Sequence, residues 1–317
     1  MPSRGRLQAG ARGTAEPRGK ATLAAITLVL AVAAVALWLL TRPHPLPAAA
    51  IPAHVVDLRN GETLYHAGSC LACHKAPDGA PGADRGLPAG GTPFPTPVGV
   101  FYPQNLTPNP ETGIGRWTEV DFVNAMRLGI SPGGTHYFPA FPYASYRSMA
   151  MADLLDLRAY LTSLPAVKSP PREADVPLAS LARRGVGLWK QIAFRQPLFS
   201  PDPARPVSWK RGAYLANAPG HCGECHTPKD WLMVADESRH MAGGPHPGGE
   251  GKVPSLRGLL ARKKYRDVDD LVLALQNGET FGYEDLSSGG MAAIQESLAR
   301  LPEAELRALA EYLLSLE

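Results

Sequence analysis

Two short runs carry matched chemistry: Cys70-Leu71-Ala72-Cys73-His74 and Cys222-Gly223-Glu224-Cys225-His226. Two thiols one helical turn apart can each add across a porphyrin vinyl group. The histidine that follows is then carried under the metal and gives it an imidazole nitrogen. C-x-x-C-H is the attachment pattern of c-type haem. Other chemistries of paired cysteines fit less well. A redox dithiol has no need of the trailing histidine and sits in a βαβ pattern. A zinc ribbon pairs its C-x-x-C units roughly 15–20 residues apart, whereas these lie 152 positions apart. All four cysteines of the chain are consumed, leaving none for a framework disulfide. The pattern implies two covalently bound haem c groups, on Cys70 and Cys73 and on Cys222 and Cys225, with His74 and His226 as iron ligands.

The segments around the motifs must deliver and close over them. Gly61-Glu62-Thr63-Leu64-Tyr65 reads as the helix leading to Cys70, and Lys210-Arg211-Gly212-Ala213-Tyr214-Leu215 as its counterpart before Cys222. Pro77 to Pro110 reads as a Gly/Pro loop too irregular for a sheet. Thr118, with Asp121 three residues later, is placed to cap a helix that Gly129 ends. Asp153 to Leu164 puts Leu154, Leu157 and Leu161 on one helical face before Pro165. Asp267 to Gln276 and Pro302 to Leu316 repeat this order, with Pro302, Glu303 and Glu305 making a helix start. The offset is 152 at His74/His226 and at Tyr160/Tyr312, and 149 at Gly129/Gly278. The spacing predicts a duplicated all-α module: 54–165, then a connector over 166–208, then 209–317. Pro170, Pro171, Pro197, Pro201, Pro203 and Pro206 predict a stiff, extended connector. Its Trp189, Phe194 and Phe199, with Trp209 beyond it, are expected to pack along both modules. At 317 residues the chain allows about two domains. Small loop-rich domains bury limited apolar surface alone, so the porphyrins are expected to complete the cores.

The N-terminus is of a different kind. Arg4, Arg6, Arg12, Arg18 and Lys20 precede an apolar run from Ala21 to Leu40, broken only by Thr22 and Thr27. Twenty helical residues span about 30 Å, the thickness of a bilayer core, and exceed the about 7–15 apolar residues of a secretory signal. The reading is a basic cytoplasmic tail over 1–20 and a single-pass transmembrane anchor over 21–41. Cleavage after Pro47-Ala48-Ala49-Ala50 is the alternative. The basic flank sets the remainder outside the cytoplasm, in the periplasm beyond a bacterial inner membrane. The whole chain is +3 and residues 1–20 carry +4, so the rest is close to −1. No basic surface suggests nucleic acid.

Arg211-Gly212-Ala213-Tyr214-Leu215 and His221-Cys222-Gly223-Glu224-Cys225-His226-Thr227-Pro228 resemble the cytochrome c subunits of bacterial membrane-bound dehydrogenases. So do Asn105-Leu106-Thr107-Pro108 with Thr112-Gly113-Ile114-Gly115, and Tyr137-Phe138-Pro139-Ala140-Phe141-Pro142-Tyr143. The resemblance covers about residues 55–317. It implies tandem class I cytochrome c domains that take electrons from an alcohol, gluconate, aldehyde or molybdenum-type dehydrogenase and pass them to quinone, an oxidase or another cytochrome. The chain departs from that pattern twice. The alcohol and gluconate subunits carry three haems, and only two fit here. They also carry Met where this chain has Phe141.

Sixth ligands are therefore the informative question. Gly289-Gly290-Met291 lies about ten residues ahead of the closing helix, where a c-type cytochrome returns a thioether to iron, and it matches the family's ligand methionine. Met291 is the candidate for the second haem, with loop filler as its ordinary alternative. For the first haem, His136 and Met149 are both candidates. Related subunits with Phe in the motif often have His at 136, while Met149 equally reads as an apolar helix entry. Met126, Met151 and an open iron remain behind them. His66, His221, His240 and His246 read as surface groups or haem-propionate neighbours. The whole reads as a non-catalytic electron carrier. A haem enzyme, a dihaem peroxidase or thiosulfate-oxidising cytochrome, is the alternative, for which Glu119, Arg127 and His136 would be nominated at an open first haem. A passive scaffold subunit is a third class.

Overall fold

The computed structural model describes residues 18–80, 83, 86–246, 248, 251–278 and 290–317. Gly289, grouped above with Met291, lies outside them, as do Arg4, Arg6 and Arg12. The chain divides into two units, residues 1–42 and 43–317.

In the first unit, α1 (Arg18–Thr41) is the expected apolar helix, and its 24 residues would reach about 36 Å. Thr27 and Thr41 return their hydroxyls to the carbonyls of Leu23 and Leu37 at 2.9 and 2.7 Å. Neither leaves a donor facing an apolar surrounding.

The second unit opens with α2 (Leu58–Ala67), capped by the Asp57 carboxylate, which accepts from the Arg59 and Asn60 N–H groups. Gly68 and Ser69 turn the chain into α3 (Cys70–His74). The long loop that follows holds a short antiparallel ribbon, β1 (Phe94–Thr96) with β2 (Gly99–Phe101). This corrects the expectation of no sheet there. The ribbon is short, but Val100 also exchanges both backbone bonds with Asp175 of the connector, at 3.1 and 2.8 Å. Next come α4 (Glu119–Leu128), α5 (Tyr143–Tyr146) and α6 (Met151–Ser163). Thr118 and Asp121 form a reciprocal capping box on α4, and Gly129 ends it in a left-handed conformation at φ 57°.

The connector is not an extended strut. Between its proline clusters it forms α7 (Ala179–Ala193), a 15-residue helix. The aromatics hold it to both sides. Trp189 and Phe194 pack edge-on against Tyr143, with centroids 6.1 and 6.0 Å apart, and the Trp189 indole donates to the Leu232 carbonyl at 2.8 Å.

The C-terminal half repeats the helical order with α8 (Val207–Asn217), α9 (Gly223–His226), the short ribbon β3 (Gly244–Pro245) and β4 (Lys252–Val253), α10 (Val268–Asn277), α11 (Gly290–Leu298) and α12 (Glu303–Leu314). In each half the helix leading to the cysteines crosses the closing helix, α2 on α6 and α8 on α12. Both crossings are tight enough to need glycine. A Cβ on Gly61 would lie 2.2 Å from the Asp156 carbonyl oxygen, and one on Gly212 would lie 1.8 Å from that of Ala308. Leu64, Phe122, Val123, Leu154 and Leu161 fill one core, and Leu215, Leu271, Leu306, Leu309 and Leu313 the other. Each such leucine contributes about 2 kcal/mol by leaving water. Ala218 belongs to the first core and Ala67 to the second, so the halves interlock.

Candidate haem-binding site

Each cysteine motif occupies one short helical turn, which puts its two thiols on neighbouring positions of one face. None of the four thiols is in a disulfide. Burial pushes Cys70 and Cys222 up to about 12, and Cys73 and Cys225 are raised by the same cause. A redox dithiol has a depressed thiol instead. The histidines are set for metal. His74 Nδ1 lies 2.7 Å from the Gln104 carbonyl oxygen, and His226 Nδ1 lies 2.8 Å from that of Pro254. A carbonyl on Nδ1 fixes the proton there and turns the Nε2 lone pair toward an iron. Burial lowers both imidazoles, favouring the neutral form a ligand requires. Two thiols and an oriented neutral imidazole are the donor set for covalent haem c, and both copies fit it.

The two motifs, 152 residues apart in sequence, are brought together at the turns that lead into them. Ser69 and His221, each just ahead of the first cysteine, both take the left-handed conformation, at φ 47° and 40°. Their turns abut. A Cβ on Gly68 would come within 3.2 Å of the Pro219 carbonyl oxygen, and one on Gly220 within 3.3 Å of that of Ala67. The Tyr146 ring meets the His221 imidazole edge-on with centroids 5.5 Å apart. His221, expected at the surface or beside a propionate, therefore lies between the halves. Glu224, inside the second motif, accepts from the Ser145 hydroxyl at 2.8 Å and from Lys229 at 2.6 Å. Burial would raise this carboxyl, but Lys229 and Ser145 outweigh it and hold it below its ordinary value. The Tyr214 hydroxyl donates to the Asp153 carboxylate and accepts from the Ala150 N–H at 3.1 Å. Apart from Glu224–Lys229, five positions apart, these contacts are non-local and leave no spacing signal in the sequence.

The sixth-ligand candidates sit in unlike surroundings. Met291 is on the first turn of α11, 37 % exposed, and α11 packs on α10 and also on α2 and α3. Met149 is 2 % exposed, within the first core of Leu64, Tyr146 and Leu154. His136 is 5 % exposed and its Nδ1 lies 3.0 Å from Lys190 Nζ. That ammonium also donates to the carbonyls of Leu128 and Gly129, and burial pushes it down to about 7. Met126 is buried in the same core as Met149, with Met151 packed against it. The set nominated for peroxide chemistry does not converge. Glu119 and Arg127 stand at opposite ends of α4, about 12 Å apart along its axis, and Arg127 donates to the Arg147 carbonyl at 3.2 Å.

A family model for cytochrome c matches residues 209–317. A dihaem cytochrome c-type protein of Cereibacter sphaeroides is 37% identical over 290 residues, covering 92% of this chain and 96% of the relative. The fructose dehydrogenase cytochrome subunit of Gluconobacter japonicus is 33% identical over 278 residues, 86% of this chain and 54% of that relative. The gluconate 2-dehydrogenase cytochrome c subunit of Pantoea cypripedii is 32% identical over 277 residues, 82% of this chain and 59% of that relative. The chain thus spans a little over half the length of these two dehydrogenase cytochromes. Cytochrome subunits of dehydrogenases are electron-transfer components, not the catalytic ones. The chain belongs to the cytochrome c family, together with dihaem cytochromes c and the cytochrome c subunits of bacterial dehydrogenases.

Proposed function

We propose that the chain is a membrane-anchored dihaem cytochrome c that carries electrons from a periplasmic or membrane-bound dehydrogenase to quinone, an oxidase or another cytochrome. Its two modules, 54–165 and 209–317, are a tandem duplication joined by the α7 connector, with α1 as a single-pass anchor in a bacterial inner membrane and the modules in the periplasm. One observation carries the reading: the turns that lead into the two cysteine motifs touch, at Gly68 against Pro219 and Gly220 against Ala67. A chain that only displayed two cofactors would have no need to bring their attachment sites together. Bound haem c supplies a one-electron Fe(III)/Fe(II) couple.

The chain's own groups hold and tune that couple. Cys70, Cys73, Cys222 and Cys225 fix the macrocycles, and the Gln104 and Pro254 carbonyls orient His74 and His226. Met291 would hold the iron of the second haem. His136 would hold the iron of the first, since related subunits with Phe in the Tyr137–Tyr143 motif often have His at this place, while the Met149 thioether is enclosed among Leu64, Tyr146 and Leu154. Thioether ligation raises a potential, so with Met291 as ligand the second site would be the higher one and the exit side. Leu64, Tyr146 and their neighbours pack against Cys70 at the first attachment site.

The test is reduction by a bacterial membrane-bound dehydrogenase of the kind whose cytochrome subunits this chain resembles. With that enzyme and its substrate, both haems of the purified chain should reduce, and an oxidase-bearing membrane should reoxidise them. A chain that dithionite reduces but the dehydrogenase does not would refute the donor assignment. Turnover of peroxide or thiosulfate by the chain alone would move it to the enzyme class.

A further inference from the structure

The connector helix carries an unusual surface. Helix α7 turns Lys190, Val186 and Ala193 inward and leaves Leu181, Leu188 and Ile192 outside. At 3.6 residues per turn these three fall within about 40° of one another. Leu178, at the helix entry, is 77 % exposed and Leu181 is 68 % exposed. The loop bonded to this helix carries further exposed apolar side chains. The Leu232 carbonyl is held by Trp189, and the Ala235 carbonyl by Gln196 at 2.8 Å. Asp230 turns its carboxylate into the loop, accepting from the Leu232 and Val234 N–H groups at 2.8 and 3.0 Å. The loop is thus tied at four points, yet it presents Trp231 at 87 % exposure, with Met233 beside it in sequence and also exposed. Burying none of these side chains in the fold forgoes about 1.5–3 kcal/mol each.

Charge and position indicate the occupant. Besides the inward Lys190, helix α7 carries Arg183 and Arg184 at part-exposed positions and no acidic residue, although the chain beyond residue 20 is close to −1. An apolar stripe, a basic helix and an adjoining Trp are the composition of a helix lying in a lipid interface. The chain also limits how far this face can stray from the anchor. Leu46 is bonded in both directions to Asn124, at 2.7 and 3.2 Å. The five residues from Thr41 to Leu46 reach at most about 18 Å, whatever the direction of the anchor. Asn124 lies one turn from Leu128, whose carbonyl accepts from Lys190 of α7.

We propose that the exposed stripe of α7, together with Trp231 and Met233, is a membrane-surface seat that lies in the headgroup region of a bilayer containing anionic phospholipid. The inference rests on the membrane anchoring proposed above. Such a seat would stop the haem body from rotating freely on its tether and present one fixed side to partners.

A nitroxide label tests it in the full-length dihaem protein, reconstituted in vesicles of zwitterionic and anionic phospholipid. The label goes at Leu188→Cys, at Leu273→Cys as an exposed control on α10, and at Ala33→Cys within the anchor. Each variant is first checked for two haems per chain. The Leu188 label should lose access to an aqueous nickel chelate and gain access to oxygen, while the Leu273 label stays aqueous. Leu181→Glu with Leu188→Glu should return a label at Ile192→Cys to water without loss of haem or of melting temperature. An aqueous Leu188 label with an embedded Ala33 label overturns the seat and leaves the anchor standing. An aqueous Ala33 label overturns the anchor itself. A Leu188 label shielded from both reagents, and only when the dehydrogenase is added, makes the stripe a protein-docking face and overturns the lipid assignment.

Discussion

Replacing Gly212 by alanine should loosen the crossing of α8 and α12, although alanine is the better helix former. The added Cβ would stand 1.8 Å from the Ala308 carbonyl oxygen and 2.4 Å from its carbon, where an ordinary contact needs at least 3.4 Å. Both obstacles are backbone, so no side chain can swing aside. The helices must part by about 1.6 Å. A gap of 0.5–1 Å already forfeits about a quarter to a half of a dispersion contact, and Leu306, Leu309 and Leu313 line this crossing. Overpacking of this kind costs about 3 kcal/mol at the upper end of its usual range. Helix propensity returns about 1 kcal/mol. The net loss of about 2 kcal/mol is roughly a thirtyfold fall in the folding equilibrium, or about 4–8 °C in melting temperature. Denaturant and thermal unfolding of the dihaem protein, followed by near-UV circular dichroism, measure it. The control is Gly185→Ala on α7, where a Cβ meets nothing within 4 Å, and where stability should rise by about 0.5–1 kcal/mol. If Gly212→Ala were as stable as the parent, or both glycines shifted stability in the same direction, the close-crossing argument would be wrong.

Further outcomes follow from the same geometry. Cys222→Ala with Cys225→Ala should halve the haem that survives acid–acetone extraction, and retention of both haems would disprove the second attachment site. His136→Ala should open the first iron to carbon monoxide. Met149→Ala should cost about 2–5 kcal/mol as a core cavity and leave that iron closed; the reverse pattern would transfer the ligand role to Met149. Acid should weaken the first module through buried Asp156. Burial alone would raise this carboxyl, but bonds from the Asp57 N–H, Asn60 and His54 outweigh it and hold it below its ordinary 3.8. A depressed carboxyl contributes stability above its unfolded value and loses it as pH falls through its folded value. The parent should therefore lose stability below about pH 4, and Asp156→Asn should be weaker at neutral pH with a flatter acid limb. Parallel acid limbs would remove Asp156 as the cause.

What could be read from the chain was what local chemistry encodes. The cysteine motifs, the Thr118–Asp121 box, its repeat over Asp267 to Gln276 and the Pro302 start are short-range signals, and the structure forms α4, α10 and α12 from them. The connector misled because its prolines cluster at the two ends. From Leu178 to Gln196 no proline interrupts, and α7 forms in that gap. The ribbon at Phe94–Phe101 escaped because its strands are only three residues each and contain Pro95 and Gly99, while the bridge from Val100 to Asp175 joins positions far apart in the chain. The site divides in the same way. Its covalent and proximal positions lie inside five-residue motifs, whereas the Tyr146–His221 contact, the Ser145–Glu224–Lys229 chain and the Lys190 hold on His136 exist only after folding. Phe141, which takes the place of a ligand methionine in the resemblance, packs against Tyr137, Tyr143 and Tyr146. Ring packing of that kind has no signature in spacing.

The most direct test of a dihaem electron carrier is a potentiometric titration of the purified full-length protein, counting electrons per polypeptide under carbon monoxide and under argon. The account predicts two one-electron waves per chain, the higher one lost in Met291→Ala, and curves that coincide under the two gases because both irons are already six-coordinate. A single wave per chain, or a carbon monoxide shift in the unmutated protein, would contradict it.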